Sequence, residues 1–378
     1  MEGILKNNIT TDPVYEAVDP KNFRAMMDVD RYGSRSDSFD KIISATHDHF
    51  WDPLDKKYID FSLPFDLENE YLTDPEMYPE LQSPIGEKLN EKDKIRLVNL
   101  DVYWSLSTIL HGEQGALNLS SSLCHIFIDP GAQEYVANQT REEARHVSAF
   151  SLYIKNRWGR PMQVGDTLGT LLDDLVQTPI VWKKIVGMQM LVEGLAMGAF
   201  SSFYKFSNDP LLVKLMQLVM TDEAFHHKFG KIWADKTIPK LNKEERDSIE
   251  DWAWEVFHVL LFNLVSPDQK KHIYAEVGID WQWAQSIMME AATDENLREE
   301  MLEATNIFRV LVKTLLKAGI ITERTAGNYA AFVDIQELYK EGDWMVGDDI
   351  AEEGIKQLIR INGGSNKFLG LDSLVAAE

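Results

Sequence analysis

Cysteine is almost absent from this chain of 378 residues, which contains Cys124 alone. A single cysteine excludes an internal disulfide, offers no partner thiol for a thiolate metal site and fits a reducing compartment. Basic residues are also scarce, because 38 lysines and arginines face 61 aspartates and glutamates and leave a formal net charge of −23. Such an acidic chain disfavours nucleic acid and anionic membranes as partners.

Signals for export and for nucleotide binding are missing as well. The start of the chain lacks the basic residues and the apolar run of a secretory signal, and no uninterrupted apolar stretch is long enough to span a bilayer. No glycine-rich phosphate loop and no Ser/His/Asp set can be placed. The sequence therefore predicts a cytoplasmic protein with no membrane partner.

Helical periodicity is what the chain has in abundance, and it begins at about Glu91. Asp129-Pro130 and Asp209-Pro210 are strong helix starts, with aspartate as the N-cap and proline in the first turn. We predict an all-α protein in four regions: an arm with short helices over residues 1–90, a four-helix bundle over 91–236, additional helices packed outside it over 237–320, and a C-terminal extension of unknown structure over 321–378.

One short motif occurs twice within the predicted bundle. Glu143 and His146 lie three residues apart, and Glu223 and His226 repeat that spacing. Three residues on an α-helix are about 60° apart around the axis, so the carboxylate and the imidazole share a face and can reach one metal ion.

Each motif also has a glutamate 30 residues upstream in an apolar setting, Glu113 for the first and Glu193 for the second. A buried carboxylate needs a partner because its desolvation is costly. Equal offsets on two antiparallel helix pairs would bring four carboxylates and two histidines to one level, which is a di-metal ligand set. Such donors suit iron or manganese. Taken singly, each glutamate is better explained as a surface residue or a core ion pair.

Acidic residues directly precede the two motif glutamates. Because metal-bound histidine usually donates its second N–H to a carboxylate, we predict that Asp222 pairs with His146 and Glu142 with His226, each across the bundle. The alternative is that both acids are solvated. The remaining histidines are predicted to be structural or surface residues: His47, His49, His111, His125, His227, His258 and His272.

Small residues follow two of the predicted ligands. Gly115 comes after Glu113, and the helix around Glu193 contains Gly198 and other small residues. Small residues beside a metal can open a cavity for O₂ and an apolar substrate, and the alternative is close helix packing. We predict an apolar substrate pocket formed by Gly115, Phe150, Met197 and Gly198.

The motifs Glu-Glu-Ala-Arg-His and Asp-Glu-Ala-Phe-His, with Glu-Gly-Leu-Ala-Met-Gly-Ala-Phe between them, resemble the ferritin-like di-iron carboxylate superfamily. The resemblance covers about residues 50–235 and is closest to ribonucleotide reductase small subunits, their ligand-binding oxidase relatives and bacterial di-iron monooxygenases. It implies that one iron is held by Glu113, Glu143 and His146 and the other by Glu193, Glu223 and His226, with Glu143 and Glu223 bridging. It also implies that Trp51, Asp222 and His146 form a chain for electron delivery.

The chain departs from each branch of that superfamily. The reductase small subunits usually carry a radical tyrosine four residues after the first histidine, where this chain has Phe150, although phenylalanine occurs there in manganese–iron versions. The cross-linked oxidases place valine at the position of Gly115. The monooxygenases often place threonine at the position of Met197. The resemblance is therefore to the superfamily and not to one branch.

These residues predict an O₂-activating non-haem di-iron oxidase or oxygenase. It would hydroxylate, desaturate or N-oxygenate a small or apolar organic substrate and take electrons from a reductase or ferredoxin. One alternative is a radical-generating or manganese–iron cofactor protein. Another is iron storage or a non-catalytic helical protein, although storage ferritins are much shorter. The oligomeric state stays open, and dimers are common in the superfamily.

Overall fold

The structure is a computed structural model that describes residues 13–47, 49–342 and 345–363. Within those ranges the chain consists of helices joined by turns, with two isolated β-bridges and no strand. The prediction of an all-α protein is confirmed. Residues 1–12 of the predicted arm (1–90) and residues 364–378 of the predicted C-terminal extension (321–378) lie outside the described residues.

Short helices connected by aspartate turns form the arm that precedes the long helices. They are three α-helices, α1 (Phe23–Met26), α2 (Asp40–Thr46) and α3 (Pro84–Lys88), and five 3₁₀ turns, Pro13–Tyr15, Asp30–Gly33, Asp37–Phe39, Pro75–Met77 and Pro79–Gln82. The Asp52, Asp60 and Asp66 carboxylates each accept a hydrogen bond from the backbone N–H two residues on. Such local bonds compete with helical ones, so long helices do not form here.

The next helices in chain order are α4 (Glu91–Cys124), α5 (Pro130–Trp158), α6 (Asp166–Gln177), α7 (Val181–Lys184), α8 (Glu193–Phe206) and α9 (Pro210–Thr237). A π-helical segment, Ile185–Val192, joins α7 to α8. Asp129 and Asp209 cap α5 and α9, because their carboxylates accept the backbone N–H groups of Gly131 and Leu211 at 2.8 and 2.9 Å.

These helices are mutually adjacent. α4 packs along α5, α8 packs along α9, α5 contacts α9, and the π segment contacts both α4 and α9. Glu113, Glu143, Glu193 and Glu223 come from α4, α5, α8 and α9 respectively, and all four are buried. The packing therefore brings one glutamate from each of these four helices into the interior.

Among the described residues, one helix, Val181–Phe206, is long and apolar enough to cross a membrane by length and composition. Its most apolar window has a mean hydropathy of 1.3, yet 83% of that window is buried inside the protein. A helix that is apolar on all sides and surrounded by others is typical of a core. The helix accordingly packs against α9 and α14 (Ile307–Lys317).

Shorter helices complete the described chain: α10 (Lys243–Asn263), α11 (Lys271–Glu276), α12 (Trp281–Ala291), α13 (Asp294–Glu300), α14, α15 (Ala326–Tyr329), α16 (Ile335–Lys340) and α17 (Asp348–Ile361). The additional helices predicted over 237–320 are present in the structure as α10 to α14, and three of them, α12, α13 and α14, divide the stretch from Trp281 to Lys317. α14 covers α8, and α17 covers α9. The C-terminal extension, for which no structure was predicted, thus supplies a helix that shields the long helix α9.

Candidate metal centre

The six predicted ligands meet inside the protein, and none is more than 6% exposed. We call these six residues the ligand cluster: Glu113, Glu143, His146, Glu193, Glu223 and His226. Helix geometry explains the convergence, because a spacing of three residues places each motif glutamate on the same face as its histidine. The equal offset of 30 residues then brings the upstream glutamates to the same level on the neighbouring helices.

Both imidazoles direct Nδ1 into the cluster. His146 Nδ1 lies 3.0 Å from a Glu223 oxygen, 3.3 Å from Glu113 and 3.5 Å from Glu143. His226 Nδ1 lies 3.1 Å from the other Glu143 oxygen and 3.2 Å from the other Glu223 oxygen. Glu143 and Glu223 therefore each span the two histidines with their two carboxylate oxygens, as ligands between two ions would.

Donor atoms fall into two overlapping groups. One atom from each of Glu113, Glu143, His146 and Glu223 lies within 4.8 Å of the others, and the same holds for Glu143, Glu193 and His226. Oxygen and imidazole donors at such separations could hold metal ions. Glu143 belongs to both groups, which is the arrangement of a shared ligand.

The outer nitrogen of each histidine meets a carboxylate of the opposite helix. His146 Nε2 is 2.8 Å from Asp222 Oδ2, and His226 Nε2 is 2.9 Å from Glu142 Oε2. We call Glu142 and Asp222 the outer carboxylates. When a metal ion replaces the Nδ1 proton, an Nε2–H donated to these carboxylates would leave the Nδ1 lone pair directed at the cluster, which is the tautomer that a metal ligand requires.

The pKa values of the buried glutamates show that the ligand cluster has more carboxyl groups than positive charges. Burial raises the pKa of Glu113 and of Glu193 well above the ordinary value, and neighbouring glutamates add to the effect. Burial acts in the same sense on Glu143, but the charge of His226 and hydrogen bonds to both histidines lower the pKa of that carboxyl overall. The protein alone thus provides too little positive charge to keep all four buried carboxyl groups ionised together.

Buried oxygens without a partner point the same way. Among the described residues, Glu193 Oε2 has no hydrogen-bond donor, and Glu143 Oε2 has only the long 3.5 Å contact with His146 Nδ1. A buried acceptor that is left unpaired costs about 1–3 kcal/mol, and more when it is charged. The free oxygens, the charge deficit and the donor chemistry together fit a pair of divalent cations.

Two glutamines, which the sequence analysis did not assign, hold Glu193 in place. Gln139 Nε2 and Gln189 Nε2 each donate to Glu193 Oε1 at 2.9 Å, and Gln139 also donates to Glu143 at 3.1 Å. Each glutamine lies four residues before a motif or upstream glutamate. That spacing was available as a signal, since residues four apart are neighbours on a helix.

Trp51 of the arm reaches the centre through Asp222. Its indole Nε1 donates to Asp222 Oδ2 at 2.9 Å, and its ring is stacked on His146 with centroids 6.2 Å apart. The Arg145 guanidinium also donates to Asp222 Oδ2, at 2.6 Å, and to the Trp51 carbonyl at 3.2 Å. Trp51, Asp222 and His146 form a continuous hydrogen-bonded chain, and Arg145 is a member of the site that the sequence analysis missed.

A cavity of about 350 Å³ reaches the ligand cluster, and its lining includes four glutamates: Glu113, Glu143, Glu193 and Glu223. Its two long walls come from α4 and α8, and Met77 and Val265, which are 40% and 41% exposed, lie at its edge. The α4 wall extends from Asp101 to Ala116, about 22 Å along the helix at 1.5 Å per residue. The wall side chains include Trp104, Ile109, Val192, Leu195, Ala196, Ala199 and Phe203.

The residues predicted to form the pocket do not line this cavity. A Cβ added at Gly115 would lie 2.7 Å from a Leu172 methyl group, and one at Gly198 would lie 2.7 Å from the Ile307 Cα. These glycines permit close helix packing, which was the alternative explanation. Phe150 and Met197 are buried in the apolar core, where Phe150 stacks on Phe200.

Comparisons with known proteins give no match, whether with family models, with curated proteins or with solved structures. The geometry by itself defines an all-helical protein with buried carboxylate–histidine clusters that could hold metal ions. The function therefore has to be argued from the site.

Proposed function

We propose that this chain is a ferritin-like di-iron carboxylate protein that uses O₂ to oxidise an apolar organic substrate. The observation that carries the proposal is the shared pair of glutamates: both imidazole Nδ1 atoms face Glu143 and Glu223 in the interior. An acidic surface cluster would lack the burial, and a structural ion pair would not need four carboxylates around two imidazoles.

The assignment of ligands follows from the distances. Glu113 and His146 would hold one ion, Glu193 and His226 would hold the other, and Glu143 and Glu223 would lie between them. Two divalent cations bring as much positive charge as four carboxylates bring negative charge. The donors are oxygen and imidazole, and the one thiol of the chain is at Cys124, so iron or manganese suits the site.

A bound pair of iron ions would supply the redox chemistry with O₂, and the chain supplies the setting for it. The outer carboxylates fix the tautomer and the orientation of both imidazoles. Burial of the ligand cluster keeps bulk water away. The hydrogen-bonded chain from Trp51 through Asp222 offers a route for electrons from a reductase or ferredoxin.

The cavity indicates the kind of substrate. Its walls are mostly apolar, it is elongated along α4, and the carboxylates of the cluster form part of its lining. An extended apolar molecule could therefore lie between α4 and α8 with the part to be oxidised beside Glu113 and Glu193. This is the feature that favours an oxidase or oxygenase over iron storage, which needs no such cavity.

A radical-generating or manganese–iron cofactor protein is the second candidate, and the Trp51–Asp222–His146 chain favours it. Phe150 argues against a tyrosyl radical at the position four residues after His146. Tyr153 lies one turn further on, where its hydroxyl donates to Asp209 at 2.6 Å. The substrate-sized cavity favours the first candidate, the di-iron oxidase or oxygenase.

Anaerobic addition of ferrous iron to the metal-free protein tests the proposal. We expect two irons per chain by elemental analysis, and a change in absorbance on mixing with O₂ without a persistent radical in EPR. A persistent radical or a manganese–iron EPR signal would instead support the second candidate. Glu143→Ala should lose the iron, whereas Glu134→Ala, an exposed control on the same helix, should not. Equal uptake by both variants would refute the metal centre.

A further inference from the structure

The two repeated motifs, Glu142 to His146 and Asp222 to His226, differ in charge at one position, the residue directly before the histidine. On α5, Arg145 directly precedes His146, and on α9 the same position before His226 is Phe225. The Arg145 guanidinium donates to Asp222 Oδ2 at 2.6 Å and lies 3.9 Å from a Glu142 oxygen. Phe225 has no polar atom to offer, so the second motif lacks the cation of the first.

His49 of the arm occupies the space beside Phe225. The two rings are stacked, with centroids 4.9 Å apart and an interplanar angle of 6°. His49 is fully buried, and its Nε2 lies 3.4 Å from Asp222 Oδ1 and 4.0 Å from Glu142 Oε1. It therefore faces both outer carboxylates, and it meets Asp222 at the oxygen that Arg145 does not contact.

Two buried polar atoms without hydrogen-bond partners among the described residues lie next to each other between His49 and Asp222. Within the described part of the chain, His49 Nε2 and Asp222 Oδ1 both lack a hydrogen-bond partner. By contrast, Asp222 Oδ2 accepts from Trp51 and Arg145 and pairs with His146. Since N–H···O bonds are typically about 2.7–3.2 Å long, a shift of a few tenths of an ångström would let the two unpaired atoms satisfy each other.

We propose that His49 is a positioning residue of the metal centre. Its Nε2 lies between the two outer carboxylates, nearer to Asp222 than to Glu142, and through them it orients the imidazoles of His146 and His226. It takes the role that an arginine would have at the position of Phe225. This inference rests on the proposed function, because the orientation of the imidazoles matters most when they bind metal.

Two substitutions distinguish the effect of the His49 hydrogen-bond donor from the effect of its ring volume. His49→Phe keeps a flat ring against Phe225 but removes the donor, and His49→Gln keeps a donor without the ring. The metal-free parent and both variants are titrated anaerobically with Co²⁺, a spectroscopic substitute for Fe²⁺, and visible absorbance is followed. Loss of a direct outer partner of a ligand typically weakens metal binding about 10–100-fold. His49 contacts the outer carboxylates and not a ligand, so we expect the lower end of that range, about tenfold weaker binding, in His49→Phe.

Recovery by glutamine is the decisive readout. We expect His49→Gln to bind Co²⁺ within about twofold of the parent and to restore its absorption band, while both metal-free variants unfold at temperatures close to that of the parent. Equal affinities in all three proteins would overturn the inference, and so would equal weakening in both variants together with a loss of thermal stability. If the parent itself took up no Co²⁺, the metal centre would fail, which is distinguishable from a failure of His49 alone.

Discussion

Replacing Glu193 by glutamine should affect the metal-free and the metal-loaded protein in opposite directions. Glu193 is 4% exposed, and burial, with repulsion from Glu223 and Glu143, raises the pKa of its carboxyl well above the ordinary value even though His226 opposes the rise. Glutamine has the shape of the neutral carboxyl, and its amide oxygen can still accept from Gln139 and Gln189. The substitution therefore removes a group that is costly to ionise in the metal-free protein.

The sign of the pH dependence follows from proton linkage. A carboxyl whose pKa is raised on folding binds more protons in the native state, so the free energy of unfolding falls as pH rises above the ordinary value of 4.5. For one group the slope is about 1.4 kcal/mol per pH unit, and it continues up to the native pKa. Metal-free Glu193→Gln should thus become more stable than the metal-free parent as pH increases, by up to that amount per unit.

Urea unfolding of the chelator-treated proteins between about pH 5 and 7 measures this difference. In the same experiment with ferrous iron under anaerobic conditions, we expect the parent to be more stable than Glu193→Gln. At a free metal concentration of a hundred times Kd, each occupied site stabilises the native state by about 2.7 kcal/mol, and the variant should lose most of this gain at the site of His226. Identical pH dependence in the metal-free proteins, or equal stabilisation by iron, would refute the role given to Glu193.

Three further substitutions test the packing, the outer carboxylates and the cavity. Gly198→Ala should cost about 1–3 kcal/mol of unfolding free energy, because its Cβ would lie 2.7 Å from a backbone atom of α14, whereas Gly112→Ala, with nothing described within 4 Å, should cost nothing. Asp222→Ala leaves the mostly buried Arg145 without its carboxylate and should cost about 3–5 kcal/mol by urea unfolding of the metal-free protein. Ala199→Trp should fill the cavity and abolish binding of an extended apolar ligand, measured by calorimetry, while iron uptake stays at the parent level.

Local chemistry explains why the helices and the ligand cluster could be predicted. Asp129 and Asp209 cap their helices through hydrogen bonds to backbone N–H groups two residues on. The sequence alone therefore indicates where α5 and α9 begin. The spacing of Glu143 and His146 is converted by helix geometry into a shared face. The motif occurs twice, and in each copy a glutamate, Glu113 or Glu193, lies 30 residues upstream. In most packings of such helices these side chains come together.

Contacts between distant segments could not be predicted in this way. A glycine either opens a space or admits a neighbouring helix, and Gly115 and Gly198 do the latter because Leu172 of α6 and Ile307 of α14 pack against them. The positions of α6 and α14 are not encoded near either glycine. His49 likewise belongs to an arm without periodicity, and nothing in its local sequence shows that it is buried beside Asp222.

Charge is what distinguishes this interior from an ordinary polar core. If Glu113 and Glu193 served only to pack and to accept hydrogen bonds, glutamine could do so without the cost of burying a charge. The neighbouring Gln139 and Gln189 are themselves buried and uncharged, and they donate to Glu193. Instead the chain keeps four carboxylates around two imidazoles whose outer nitrogens already face Asp222 and Glu142. Such a cluster is costly for a fold to keep without cations and well suited to binding them, so it is better explained by metal binding than by stability.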